Sequence, residues 1–265
     1  MITHLSFTRL KNLAHSPLAL KRYIESDFKA TKAMDEGTLL DCLLFTPKAF
    51  GDTFYLMPDD VKKPTSAQLN AKKPSDESIA QIARWKEVEA EIGGRIVVKQ
   101  EDVDAAVELA TQIRDNSTVA FHGLLNPNFF EFQHPIEFWY KGFKHRGIAD
   151  AWGHDRSGNL TVWDLKRMGA RSGEQLVRGQ IRNNMYDLQA AIYCHEHDIA
   201  DVPVNYYIIA VDNDGYVTPF QISRDARDQA RKTWDRLIKA AHRCNMEGLD
   251  AGCEFYADTQ GFFQF

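Results

Sequence analysis

Three residues close together in the sequence could do hydrolytic chemistry together: Asp150, Asp164 and Lys166. They lie in Gly147-Ile148-Ala149-Asp150-Ala151-Trp152 and Leu160-Thr161-Val162-Trp163-Asp164-Leu165-Lys166, joined by His154-Asp155-Arg156-Ser157-Gly158-Asn159. Strand, turn-rich loop and strand make a β-hairpin. Centred on Ser157, it sets Asp150 opposite Asp164, with Cβ atoms roughly 4.5–5.5 Å apart. Lys166 shares their face because strand side chains alternate, and Leu165 turns away into the core. A register shifted by one or two residues would instead leave both aspartates solvated. Apposed carboxylates repel, so on this reading removing Asp164 relieves a strained pair. A hard divalent cation also relieves it, since Mg²⁺ or Mn²⁺ takes oxygen ligands from one or two carboxylates and water. One or two such ions, with the Leu165 carbonyl as a further ligand, would activate water at a phosphoryl centre. Lys166 would orient that water and offset the developing charge.

The surrounding elements must present this hairpin. Short β-branched or aromatic runs at residues 136–140, 147–152, 160–165, 204–211 and 216–222 predict five strands. Helices are predicted from the Ser16-Pro17 cap, over 36–45, from Ser75 through Ile92 to Gly93-Gly94, over 101–114, over 185–195 and over 224–246. Residues 58–75, rich in proline and lysine, read as a loop. The pattern is one α/β domain: a mainly helical part at 1–115, a catalytic α/β core at 130–223, and a C-terminal helix and tail at 224–265.

Composition narrows the class. The 265 residues carry a net charge of −5, yet residues 141–182 hold nine Lys/Arg against four Asp/Glu, a basic patch in an acidic chain. Arg146, Arg167, Arg171, Arg178 and Arg182 are candidate phosphate contacts, and Ser172 with Gln175 forms a possible capping box beside them. No Walker-type phosphate loop is present, which argues against an ATP-driven motor. Cys42, Cys194, Cys244 and Cys253 are too scattered for a metal cluster and read as buried thiols. His195-Glu196-His197 reads as a helix end and Asp212-Asn213-Asp214-Gly215 as a hairpin turn. No apolar run approaches a bilayer span or a secretory signal, so a cytoplasmic protein without membrane contact is expected.

The order Gly-x-x-Asp150, turn, Asp164-Leu165-Lys166, then Tyr186-Asp187-Leu188-Gln189-Ala190-Ala191-Ile192-Tyr193 resembles the PD-(D/E)XK nuclease superfamily. Within it, the order resembles the RecE-type exonucleases. Leu5-Ser6-Phe7-Thr8-Arg9-Leu10 with Ser16-Pro17 looks like that family's opening helix, and Gly37-Thr38-Leu39-Leu40-Asp41-Cys42-Leu43-Leu44 like its Gly-x-x-x-His helix. Asp41 replaces the family's histidine there and remains a possible metal ligand. The family's upstream acid falls on Glu131 or Glu137, with His134 between them and Glu131 preferred. The resemblance implies a restriction-endonuclease-like core, with a mixed sheet flanked by helices. It implies catalytic roles for Asp150, Asp164, Lys166, Gln189 and Tyr193, with Gln189 positioning water or Lys166 and Tyr193 bracing the helix. It further implies a 5′-to-3′ exonuclease on ends of double-stranded DNA, working in a bacterial host as a homo-oligomeric ring beside a phage single-strand annealing protein. Alternatives are another nuclease mode, such as an endonuclease, or a retired relative that only binds DNA.

Overall fold

The structure, a computed structural model, describes residues 1–26, 30–168, 174–212 and 214–256. In chain order the elements are β1 (His4–Ser6), α1 (Phe7–His15), α2 (Pro17–Glu25), α3 (Lys32–Phe45), α4 (Phe50–Thr53), β2 (Phe54–Leu56), α5 (Ser66–Leu69), α6 (Asp76–Ile92), β3 (Ile96–Val98) and α7 (Gln100–Asp115). There follow α8 (Ser117–His122), β4 (Phe130–Tyr140), β5 (Phe143–His154), β6 (Leu160–Arg167), α9 (Glu174–Asn183), α10 (Tyr186–Tyr193), α11 (His195–Ile199), β7 (Asn205–Val211), β8 (Val217–Gln221) and α12 (Arg224–Glu247).

The chain forms two compact units, one of residues 1–29 and 112–265 and the other of residues 30–111. The first 29 residues therefore belong with the sheet, where the sequence grouped them with a helical part ending at 115. In the smaller unit α3 begins four residues earlier than predicted, at a Thr31 cap, and packs Leu39 and Cys42 against Phe54, Val98 and Ala106. The expected loop at 58–75 contains α5, nucleated by a reciprocal capping box between Thr65 and Gln68. Ser75 caps α6, and Gly93 ends it in the left-handed conformation, φ 57°.

The larger unit is built on a six-stranded mixed sheet, in the order β1-β5-β6-β7-β8 with β4 on β5. β6 and β7 run parallel because α9–α11 form the crossover between them. One core joins α1, α2, α10 and α12 to the sheet: Leu10, Leu13, Leu20, Leu188, Ile192, Trp234 and Leu237 meet Val162, Tyr206 and Ile208, all buried. Ser16 accepts from Ala19 N–H to cap α2, with Pro17 at its first position, but only Leu20 and Pro17 of that helix are buried. Tyr23 and Ile24 of the same helix are exposed. Among the described residues no helix is long and apolar enough to cross a membrane.

Candidate active site

The β5–β6 turn fixes the hairpin register. The Asp155 carboxylate accepts from the N–H groups of Ser157 and Asn159, both at 2.9 Å, and Gly158 takes φ 80° to close the loop. The ladder then pairs His154 with Leu160, Gly153 with Thr161, Trp152 with Val162 and Ala151 with Trp163. One more step would place Asp150 opposite Asp164, as the sequence predicts. There the ladder stops.

β5 pairs with β4, β1 and β6. β4 runs along one edge from Phe130↔Gly153 to Tyr140↔Phe143. The other edge is shared by β1, paired with residues 144–146, and β6, paired with residues 151–154. Residues 147–149 lie between the two and receive no ladder partner on that edge among the described residues. Side chains take over the backbone bonding there. The Tyr193 hydroxyl donates to the Ile148 carbonyl at 3.1 Å, and Leu165 N–H donates to the Asp150 carboxylate at 2.7 Å. A strand residue's N–H and C=O point to the same edge, so the Leu165 carbonyl also turns toward Asp150. Gly147 is required at this opening because a Cβ would lie 2.6 Å from the Tyr193 ring.

Asp164 is buried at 1% exposure and bonded on both oxygens, by the Lys166 ammonium at 3.4 Å and by the Tyr206 hydroxyl. The expectation of a merely repulsive carboxylate pair is therefore corrected: Asp164 is held by a cation and a donor. Burial opposes the Lys166 charge, but Asp164 and then Asp150 outweigh it and keep the ammonium above its ordinary pKa. Facing these carboxylates, Lys166 is a donor and a positive charge at neutral pH. Its ammonium lies 5.2 Å from the centre of the Tyr186 ring. Burial, then the Asp164 charge, raises Tyr193, and burial, then Asp164, raises Tyr206, so both phenols stay neutral donors.

Gln189 is buried and pairs with Tyr193, one turn along α10. Its Oε1 has no hydrogen-bond partner among the described residues. A buried acceptor left unmade costs about 1–3 kcal/mol, so this amide suits a site that takes up water. The local donor set is all oxygen: the Asp150 and Asp164 carboxylates and the Leu165 carbonyl. That chemistry fits Mg²⁺ or Mn²⁺, which keep several waters, better than a soft metal. No cluster of three or more His, Cys, Asp or Glu suited to a metal occurs among the described residues.

Glu131 and Glu137 have basic neighbours of their own. Glu131 pairs with Trp152 in the ladder, is mostly exposed, and has its carboxylate 3.0 Å from His134 Nδ1. Glu137 is bound by Lys144 at 2.5 Å and Arg146 at 2.9 Å. Asp41 lies on α3 of the smaller unit. Arg146 is an exposed partner of Glu137, and Arg167 is exposed at the end of β6. Arg178 and Arg182 line a small pocket with Phe220 and Ser223 at the start of α12. Arg171 and Ser172 lie outside the described residues. Cys42, Cys194 and Cys244 are buried free thiols. Tyr206 and Tyr186, absent from the sequence prediction, are direct partners of Asp164 and Lys166. A tyrosine inside a buried strand needs a partner for its hydroxyl, and that was the available signal for Tyr206.

No protein-family model matches the chain, and no curated protein sequence matches it. Among solved structures, a proposed exonuclease from Eubacterium rectale aligns at 13% identity with a TM-score of 0.55, covering 91% of this chain and 82% of its own. SSO0001 aligns at 16% identity over 81% of this chain and 86% of its own, but its TM-score of 0.31 carries no argument. The chain is thus similar in fold to the E. rectale protein, with a central mixed sheet flanked by helices.

Proposed function

We propose that this protein is a metal-dependent DNA nuclease of the PD-(D/E)XK type whose active site is the opening between β1 and β6 on β5. The observation that carries the reading is the buried Asp164–Lys166 pair beside Asp150, where the ladder gives way to side chains. Likeness in fold to a proposed exonuclease supports it.

A divalent cation held by Asp150, Asp164 and the Leu165 carbonyl would supply Lewis acidity and lower the pKa of water. Lys166 donates to the attacking water or to a phosphate oxygen and offsets the charge that develops there. Asp164 holds that ammonium on the strand face, and Tyr206 holds Asp164. Gln189 Oε1 accepts from the water, while Tyr193 fixes Gln189 and the open edge of β5 in one arrangement. The finer reading is a RecE-type exonuclease acting 5′ to 3′ on ends of double-stranded DNA, assembled as a ring and paired with a single-strand annealing protein.

Linear, nicked and covalently closed circular DNA, each with and without Mg²⁺, provide the test. Mg²⁺-dependent loss of linear DNA alone, with mononucleotides released first from the 5′ end, is the expected result. Cutting of closed circles would overturn the exonuclease mode, and no hydrolysis of any substrate would overturn the nuclease reading.

A further inference from the structure

α1 sends a second lysine toward the same opening. Phe7 on α1 packs against Tyr186, ring centres 6.3 Å apart, and that ring in turn lies by the Lys166 ammonium. Lys11 is one turn beyond Phe7, on the same side of the helix. Its ammonium donates to Asn184 Oδ1 at 2.8 Å, two residues before Tyr186. The helix–turn contact thus brings Lys11 to the edge of the group around Asp164.

Its electrostatic setting is unusual. Lys11 is half-buried, and no carboxylate lies within ion-pair distance of it among the described residues. Lys166, by contrast, has Asp164, and nearby Asp150 favours its charge. Burial first, then the like charge of Lys166, lowers the Lys11 pKa. A cation held by a neutral amide beside another cation is poorly placed for stability alone and well placed for an incoming anion. An ammonium has three donors, and Asn184 uses one.

We infer that Lys11, oriented by Asn184, binds a backbone phosphate of the nucleic acid next to the scissile phosphate, so that α1 forms one wall of the substrate channel. This rests on the nuclease reading and adds to it a contact from outside the sheet. Lys11 binds a phosphate that does not react, so its contribution is to substrate affinity and register.

The test measures binding of a labelled DNA duplex without divalent cation across a NaCl series, and steady-state hydrolysis with Mg²⁺. Wild type, Lys11→Ala, Lys11→Arg and Asn184→Ala are compared. Lys11→Ala should weaken binding at every salt concentration and reduce the slope of log K against log [NaCl] by about 1. Its KM should rise several-fold more than its kcat falls, Lys11→Arg should recover most of the loss, and Asn184→Ala should reproduce part of it. If Lys11→Ala or Lys11→Arg fails to fold, the Asn184 variant carries the same comparison. Unchanged binding and salt slope in a folded variant, with wild-type hydrolysis intact, would overturn the Lys11 inference alone. Wild-type protein that neither binds nor hydrolyses DNA would overturn the nuclease reading and this inference with it.

Discussion

Acid should unfold this protein through two buried histidines in the larger unit. His145, on β5, is fully buried, stacked on Phe138 at 5.2 Å and set edge-on to Trp234 at 5.0 Å. His195, at the start of α11, is 3% exposed and lies 4.4 Å from the Tyr140 ring and 4.9 Å from Trp234. Neither nitrogen of His145 makes a well-formed hydrogen bond among the described residues. Burial, then the His195 charge, pushes His145 down to about 4, against a weak pull from the Tyr140 backbone. Burial, then Arg231, pushes His195 down to about 4, with Lys141 adding to the shift and Asp198 and Asp235 opposing it. The folded pKa values lie below the unfolded value of about 6.5, so the unfolded chain binds more protons. The stability from keeping these rings neutral is present above pH 6.5 and is lost as pH falls toward 4. Keeping such a ring neutral is worth about 3 kcal/mol by pH 4, a large part of the stability of many domains. Denaturant unfolding of wild type and His145→Phe at pH 7.5, 6.0, 5.0 and 4.5 measures it. The phenyl ring keeps the stacking and cannot titrate, so the variant should lose roughly half as much stability across this range as wild type. Equal losses in the two proteins would refute the reasoning.

Asp164→Ala and Lys166→Ala should each abolish DNA hydrolysis. Asp164→Ala should also lower stability, by about 3–5 kcal/mol where a buried pair loses one partner, because Lys166 and Tyr206 are both left without it. An unchanged melting temperature would show that Asp164 is not held as described. Gly147→Ala should cost about 1–3 kcal/mol by overpacking and reduce hydrolysis at least tenfold, because the new methyl displaces Tyr193 from Ile148. Its melting curve and turnover, read beside those of Tyr193→Phe, check this. Mg²⁺ or Mn²⁺ should support hydrolysis and EDTA should end it, while Ca²⁺ should permit binding with little cleavage because its longer bonds fit the attack geometry poorly. Full activity in EDTA would remove the metal from the mechanism.

Local chemistry wrote the hairpin into the sequence. The Asp155–Asn159 turn and the alternation on either side determine which residues can pair, and the expected register is the one observed. The helix caps at Ser16 and Ser75 were legible for the same reason, since each cap bonds a backbone N–H within three residues. β1, β2 and β3 were not. Each is three residues long and pairs in parallel with a strand far along the chain, so no periodicity can accumulate to reveal it. Family order pointed to Glu131 as the upstream acid, and its carboxylate lies beside His134 on β4.

What the sequence could not disclose is the break in the ladder, and the chemistry depends on it. Had β6 continued along β5, Leu165 would have faced Ala149 and its N–H would have gone to a backbone carbonyl. Asp150 would then have been one more side chain on a closed sheet. Between the β1 and β6 pairings, the bonding of Ile148 and Leu165 passes to Tyr193 and Asp150. The carboxylate is thereby held against the Leu165 backbone, with the adjoining carbonyl turned to the same opening. Lengthening the β5–β6 ladder would close the site, so Gly147 and Asp150 of β5 act together with Tyr193 of α10.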